Sequence, residues 1–227
     1  MARADRARGA LVEAAAEADE IEAGRRLFAN QCRFVGAAAS QDGFLEAGPP
    51  EVAFAGRSNV GKSSLVNALT GRTTLARISR TPGRTRQINF FLLGTRLYLV
   101  DLPGYGYAKA PKHEVKRWTE VVEAYLRGRA GLRRTCLLID ARHGTRDSDR
   151  AVMALLDRAA VSYQAVLTKC DKVTEQGLGR LVEEIERELA GHAAAHPQVL
   201  PTSARSGRGI PELRAALAAL AAPGPVP

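Results

Sequence analysis

Residues Gly56 to Ser64 read GRSNVGKSS, and the run fits the phosphate-binding pattern GxxxxGK[ST] through Gly56, Gly61, Lys62 and Ser63. Before it, the apolar run Val52 to Ala55 predicts a buried strand; after it, Ser64 to Gly71 has helical spacing and ends on a helix-stopping glycine. The loop therefore sits at a strand-to-helix turn, where unpaired amides and the positive end of the helix dipole suit a polyphosphate. In that reading Arg57, Ser58, Asn59 and Val60 line the turn, Lys62 reaches the β and γ phosphates, and the Ser63 hydroxyl ligates Mg²⁺. The competing explanation, a chance glycine-rich turn, has to account for strand, helix and spacer falling together.

A chain of 227 residues, 45% apolar, fills one large α/β domain with extensions. We expect an N-terminal extension at 1–26, partly helical or disordered, a lead-in segment at 27–50, a nucleotide-binding domain at 51–222 and a tail at 223–227. The formal net charge of +9 favours a polyanionic partner, nucleic acid or an anionic membrane surface. Cys32, Cys136 and Cys170 show no CxxC spacing, so neither a disulfide framework nor a zinc site is indicated, and a reducing cytosol is the expected location. No apolar stretch approaches the roughly 18 residues of a membrane span, and the first residues carry Asp5, Glu13, Glu17, Asp19, Glu20 and Glu22, too acidic for a targeting signal.

After the phosphate loop, two apolar runs, Gln87 to Gly94 and Arg96 to Gly104, are separated by a hairpin-like Gly94-Thr95. Helices are predicted across Lys112 to Leu126, Arg146 to Ala159, Glu175 to Leu189 and Ile210 to Leu220, with strands at Thr135 to Asp140, Ser162 to Thr168 and Gln198 to Pro201 between them. This alternation predicts a three-layer α/β P-loop fold: a mostly parallel six-stranded sheet with one antiparallel edge strand, and helices on both faces.

Downstream motifs choose the ligand. DLPG, Asp101 to Gly104, closes an apolar strand where a P-loop protein keeps its Mg²⁺ carboxylate; Asp101 is expected to hold the ion through water, and the Gly104 amide to bind the γ phosphate, with Leu102 and Pro103 between them. TKCD, Thr168 to Asp171, has the N/TKxD form: the Asp171 carboxylate can accept both the N1 and N2 hydrogens of guanine, which adenine does not offer, so the nucleotide is GTP or GDP. Lys169 is expected to pack along the base, Cys170 is the variable position, and Thr202, Ser203 and Ala204 are placed to offer a backbone amide to guanine O6. Between the phosphate loop and DLPG, the segment Gly83, Arg84, Thr85, Arg86 and Gln87 should hold the threonine that senses Mg²⁺ and the third phosphate. Thr85 is the choice over Thr81, because it lies beyond Pro82-Gly83 and just before the strand.

In order, GRSNVGKSS, TPGRT, DLPGYGYA, TKCD and TSA resemble the small bacterial GTPases of the EngB family, also called YihA or YsxC, within the TrmE-Era-EngA-YihA-septin class. The resemblance runs from about Ile21 to about Leu220, and DLPGYGYAKAP followed by a Trp-containing helix is its most specific piece. It implies a GTPase acting in assembly of the large ribosomal subunit, with the subunit precursor and its rRNA as partners, coupled to cell division and septation, cytoplasmic and monomeric. A non-catalytic, nucleotide-gated adaptor for a division protein or membrane partner is the alternative. Arg86 stands where family members commonly have Gln after the effector threonine, and the extension before Ile21 is longer than usual.

Many GTPases place Gln directly after DxxG to orient the attacking water. Here Tyr105 holds that position, so slow unaided hydrolysis is expected. Asn59 is the candidate for a monovalent-cation ligand, K⁺, against the phosphates, with local turn capping as an equally weighted role. The proposed catalytic set is thus Lys62, Thr85 and Asn59, and the metal set Ser63, Thr85 and Asp101. Arg72, Arg77, Arg80, Arg84 and Arg86 crowd the segment that should move with nucleotide state, and basic residues outnumber Glu114, Glu120 and Glu123 between Tyr105 and Arg134, an expected rRNA-facing surface. Trp118 and Tyr125 are read as core on an amphipathic helix, and His192 and His196 as solvent-facing residues able to share a helix face.

Overall fold

The strand that feeds the phosphate loop, β2 (Glu51–Gly56), is buried along its whole length and sits between two parallel neighbours, β4 (Leu97–Asp101) and β5 (Leu132–Asp140). A strand covered on both faces needs apolar side chains at every position, which explains why VAFA lacks the alternation of a half-buried strand. Val52 and Phe54 pack on one face of the sheet, and Ala53 and Ala55 on the other. The computed structural model describes residues 2–72, 75, 87–105 and 112–222 and, of these, the side chains outside 2–13 and 112–118.

The sheet continues with β6 (Tyr163–Thr168) and β7 (Leu200–Pro201) on one side, and with β3 (Ile88–Leu93) and β1 (Cys32–Ala38) on the other, in the order β1-β3-β4-β2-β5-β6-β7. The fold class is the expected one, and the hairpin β3–β4 is antiparallel. The sheet has seven strands where six were expected, because CRFVGAA in the lead-in segment is β1, antiparallel to β3 from Cys32 opposite Leu93 to Ala38 opposite Ile88. The antiparallel strand β3 is therefore interior, and β1 forms the edge. Its register shifts between Phe34 and Gly36 and its middle is largely exposed, so no period-two pattern marks it in the sequence.

The helices are α1 (Ala2–Phe28), α2 (Lys62–Thr70), α3 (Lys112–Gly128), α4 (Asp147–Arg158), α5 (Glu175–Leu189) and α6 (Ile210–Ala218). Leu65, Val66 and Leu69 of α2 share one core with Leu213 and Leu217 of α6 and with Leu27 and Phe28 of α1. Tyr125 of α3, Met153 and Leu156 of α4 and Ile185 of α5 fill the core on the opposite face. The N-terminal segment docks as the end of a long helix: the Arg214 guanidinium lies 5.7 Å over the Phe28 ring, and a Cβ on Gly24 would stand 2.6 Å from the Ala215 amide nitrogen, so only glycine admits this approach of α1 to α6.

At the amino end of β2, the buried Glu51 carboxylate accepts from the Tyr125 hydroxyl at 2.7 Å and from Arg129 Nε at 2.9 Å, while Arg129 also reaches the Leu45 carbonyl. This cluster clamps the lead-in segment and the end of α3 to the edge of the sheet remote from the phosphate loop. All strands except β3 run the same way, so the carboxyl ends of β2, β4, β5, β6 and β7 come out along a common edge, where open α/β sheets bind their ligands. Among the described residues, no helix is long and apolar enough to cross a membrane.

Candidate functional site

That edge collects the motifs. Gly61 caps α2 in the left-handed region at φ 110°, a conformation that a side chain would strain, and its carbonyl accepts the Leu65 amide to start the helix. Asn59 is also left-handed at φ 65°, which asparagine tolerates better than most residues, and it is exposed. The amides of the first turn of α2 thus face the loop in the arrangement that anions favour.

Asp101 ends β4 beside this loop, opposite Phe54 of β2. Its carboxylate pairs directly with the Lys62 ammonium, both side chains being mostly buried at 12% and 8% exposure for Lys62 and Asp101. The chain then crosses to β2: the Leu102 amide donates to the Phe54 carbonyl at 3.1 Å, the Tyr105 amide to Gly56 at 3.3 Å, and the Ser58 amide back to Tyr105 at 2.9 Å. Gly104 is held against Ser58, where an added Cβ would stand 3.3 Å from the Ser58 hydroxyl. The Tyr105 side chain leaves this edge for the core, and its hydroxyl donates to Asp149 at 2.8 Å.

Two contacts join the loop after β6 to the phosphate loop. Thr168, at the end of β6, donates its hydroxyl to the Val60 carbonyl at 2.7 Å. Lys169, left-handed at φ 59°, extends its ammonium to the Asn59 carbonyl at 2.6 Å and to Asp140 at 2.8 Å. Burial opposes ionisation of Asp140, but the hydrogen bonds from Arg142 and Lys169 outweigh it and hold the carboxyl well below the usual range. Asp171 accepts the Ser203 hydroxyl at 2.7 Å, and this bond lowers its pKa. Ser203 in turn accepts the amides of Arg205 and Ser206 at 3.3 and 3.2 Å, so its hydroxyl hydrogen is aimed at the carboxylate. The Ser203 amide is engaged by the Arg208 carbonyl at 2.9 Å. Cys170 faces inward, buried against the core, and its amide donates to the Thr202 carbonyl at 3.1 Å.

Gly56 to Ser63, Asp101 to Gly104, Thr168 to Asp171 and Thr202 to Ala204 therefore meet at one edge, and Gln87 lies just before β3. Gly83, Arg84, Thr85 and Arg86 lie outside the described residues, as do Arg77, Arg80 and the side chain of Trp118. Tyr125 is core, as expected. His192 and His196 are not on a common helix face, since α5 ends at Leu189. Both are partly buried, and His192 Nδ1 lies 2.6 Å from Asp157 rather than facing solvent. Sequence reasoning missed Asp140 and Asp149. Asp140 ends an apolar strand as Asp101 does, and that parallel was its signal; Asp149, in the first turn of a helix, reads as an ordinary N-terminal acid.

The donor set suits a magnesium nucleotide. Among the described residues, no cluster of three or more His, Cys, Asp or Glu side chains can cage a metal. A Mg²⁺ that keeps waters and takes its other ligands from phosphates needs only a carboxylate and a hydroxyl, and Asp101 lies against the first residue of α2 while Ser63 is the second.

A family model described as 50S ribosome-binding GTPase matches residues 51–169, from the first residue of β2 to Lys169. One described as elongation factor Tu GTP binding domain matches residues 120–223. The chain is 58% identical over 208 residues to a probable GTP-binding protein EngB of Rhodospirillum rubrum, covering 89% of this chain and 90% of that one. It is 54% identical over 204 residues to the protein of the same description in Gluconobacter oxydans, covering 90% of each. A solved structure of a probable GTP-binding protein engB superposes with a TM-score of 0.62 at 23% identity, over 75% of this chain and 97% of that one, a likeness of fold.

Proposed function

Because the chain belongs to the EngB family of GTP-binding proteins, within the 50S ribosome-binding GTPases, we propose that it is a GTP-hydrolysing switch in large-subunit assembly, needed for normal cell division and septation. The observation that carries this reading is the meeting of the phosphate loop with DLPG and TKCD at one sheet edge, where the Ser203 hydroxyl donates to the Asp171 carboxylate.

In this reading Asp171 takes the N1 and N2 hydrogens of the base, and Ala204 offers the amide for O6, since the Ser203 amide is engaged by Arg208. The Lys62 ammonium exchanges its bond to Asp101 for the β and γ phosphates, which frees the carboxylate to face the ion. Ser63, Asp101 and Thr85 would hold Mg²⁺, which when bound would neutralise charge building on the phosphate oxygens. Water attacks the γ phosphorus, its bond to the bridging oxygen breaks, and GDP and phosphate leave. Tyr105, turned into the core toward Asp149, orients no water, so the reaction is slow without an activator. Asn59, exposed in the phosphate loop, is the K⁺ ligand in this scheme. The protein works as a cytoplasmic monomer, its partners the subunit precursor and its rRNA.

Cosedimentation with large ribosomal subunits under GTP analogue and GDP, over a salt series, tests the switch. Retention under the analogue, weakening steeply with salt, is expected. Binding confined to a division protein would favour a nucleotide-gated adaptor instead. Faster hydrolysis in potassium than in sodium, lost on Asn59→Ala, is the result expected of the cation site; equal rates in both salts remove it.

A further inference from the structure

Tyr105 is the first residue beyond Gly104, and its backbone is fixed to the phosphate loop in both directions: its amide donates to the Gly56 carbonyl, and its own carbonyl accepts the Ser58 amide. Its side chain is 8% exposed and ends on the carboxylate of Asp149, itself 1% exposed, in the first turn of α4. The second carboxylate oxygen of Asp149 accepts the Arg146 amide at 2.9 Å, so the acid cannot rotate away without breaking this bond as well as the one from Tyr105. Burial first, and then the Asp149 charge, push the phenol far above its ordinary pKa, which keeps its proton on oxygen as a donor. The first turn of α4 and the loop that enters it are braced on α5, since Arg150 and Thr145 bond Glu188, at 2.6 and 2.8 Å.

We propose that Asp149 is a positioning residue for recognition of the third phosphate: acting through the Tyr105 phenol, it keeps Gly104 packed against Ser58, so that the Gly104 amide stays at the phosphate loop where a γ phosphate arrives. This rests on the functional reading above and deepens it, since it assigns the discrimination between GTP and GDP to a contact between the residue after DLPG and the first turn of α4. GDP has no γ phosphate to meet the Gly104 amide, so its affinity is insensitive to the contact. By reciprocity, the third phosphate is felt at Asp149, and through Glu188 at α5.

The test uses the full chain as wild type, Tyr105→Phe, Asp149→Asn and the double variant, with Mg²⁺ and either GDP or a non-hydrolysable GTP analogue in a binding titration. Tyr105→Phe keeps the ring and removes only the donor, and Asn at 149 leaves either the phenol or the Arg146 amide without an acceptor. Each single variant is expected to weaken the analogue about tenfold, the scale of one hydrogen bond to a charged group, while GDP affinity stays within about twofold. The double variant should lose little more than either single one. Equal losses for both nucleotides, or no loss for the analogue in Tyr105→Phe, overturn the proposal. A wild-type chain that binds neither nucleotide would instead overturn the functional reading. Thermal unfolding of each variant identifies one that fails to fold, and Tyr105→Phe then carries the decision.

Discussion

At the scale of single residues, the chemistry of this site lies in where two carboxylates find their hydrogens. Asp171 accepts from Ser203 and offers its remaining lone pairs to a ligand with two adjacent donors. Asp171→Asn should shift preference from GTP towards XTP in a competition titration, because an amide can donate to the oxygen that replaces the guanine amine. An unchanged preference would contradict the base pocket. Asp140 holds Lys169 and Arg142, and its folded pKa lies below that of an unfolded aspartate. Its contribution to stability is therefore fully present above the ordinary carboxylate range and is lost as the pH falls through the lowered value. Asp140→Asn should cost about 1–3 kcal/mol near neutrality. The gap in melting temperature from wild type should close in acid, where a gap independent of pH would count against this role.

At the scale of elements, two junctions decide whether the sheet holds its shape. The end of α1 is fastened to α6 through Phe28, buried under Arg214, and through the close approach at Gly24. Phe28→Ala should destabilise the protein by about 3–5 kcal/mol in denaturant unfolding, the range for emptying a buried aromatic site. A loss near zero would mean that α1 contributes no core. At the amino end of β2, Glu51 is fully enclosed, with Tyr125 and Arg129 as its partners. Removing one member of such a pair strands a buried charge, so Arg129→Ala should cost about 3–5 kcal/mol, whereas replacing Glu51 and Arg129 together by apolar residues should cost much less. Neither junction touches the nucleotide edge, so binding measured well below the melting temperature should persist in the folded fraction.

At the scale of the whole molecule, the proposed binding to a ribosomal subunit would draw on phosphate contacts, given a net charge of +9. The slope of log affinity against log salt should be steep and negative in the cosedimentation series, and a flat slope would exclude an electrostatic footprint. The sequence by itself determined the order of strands and helices from β2 onward, because buried strands and amphipathic helices write their periods locally. It also determined the nucleotide class, because GRSNVGKSS, DLPG and TKCD each complete their pattern within a few residues. It did not disclose β1, whose shifted register and exposed middle erase the alternation that marks a strand, nor the docking of α1 on α6. It was equally silent on the bonds that orient the site: Ser203 to Asp171, Lys169 to Asp140 and Tyr105 to Asp149. Those pairs lie far apart along the chain and carry no spacing of their own. Only the sheet, by bringing the carboxyl ends of its parallel strands to one edge, could decide which acid meets which donor.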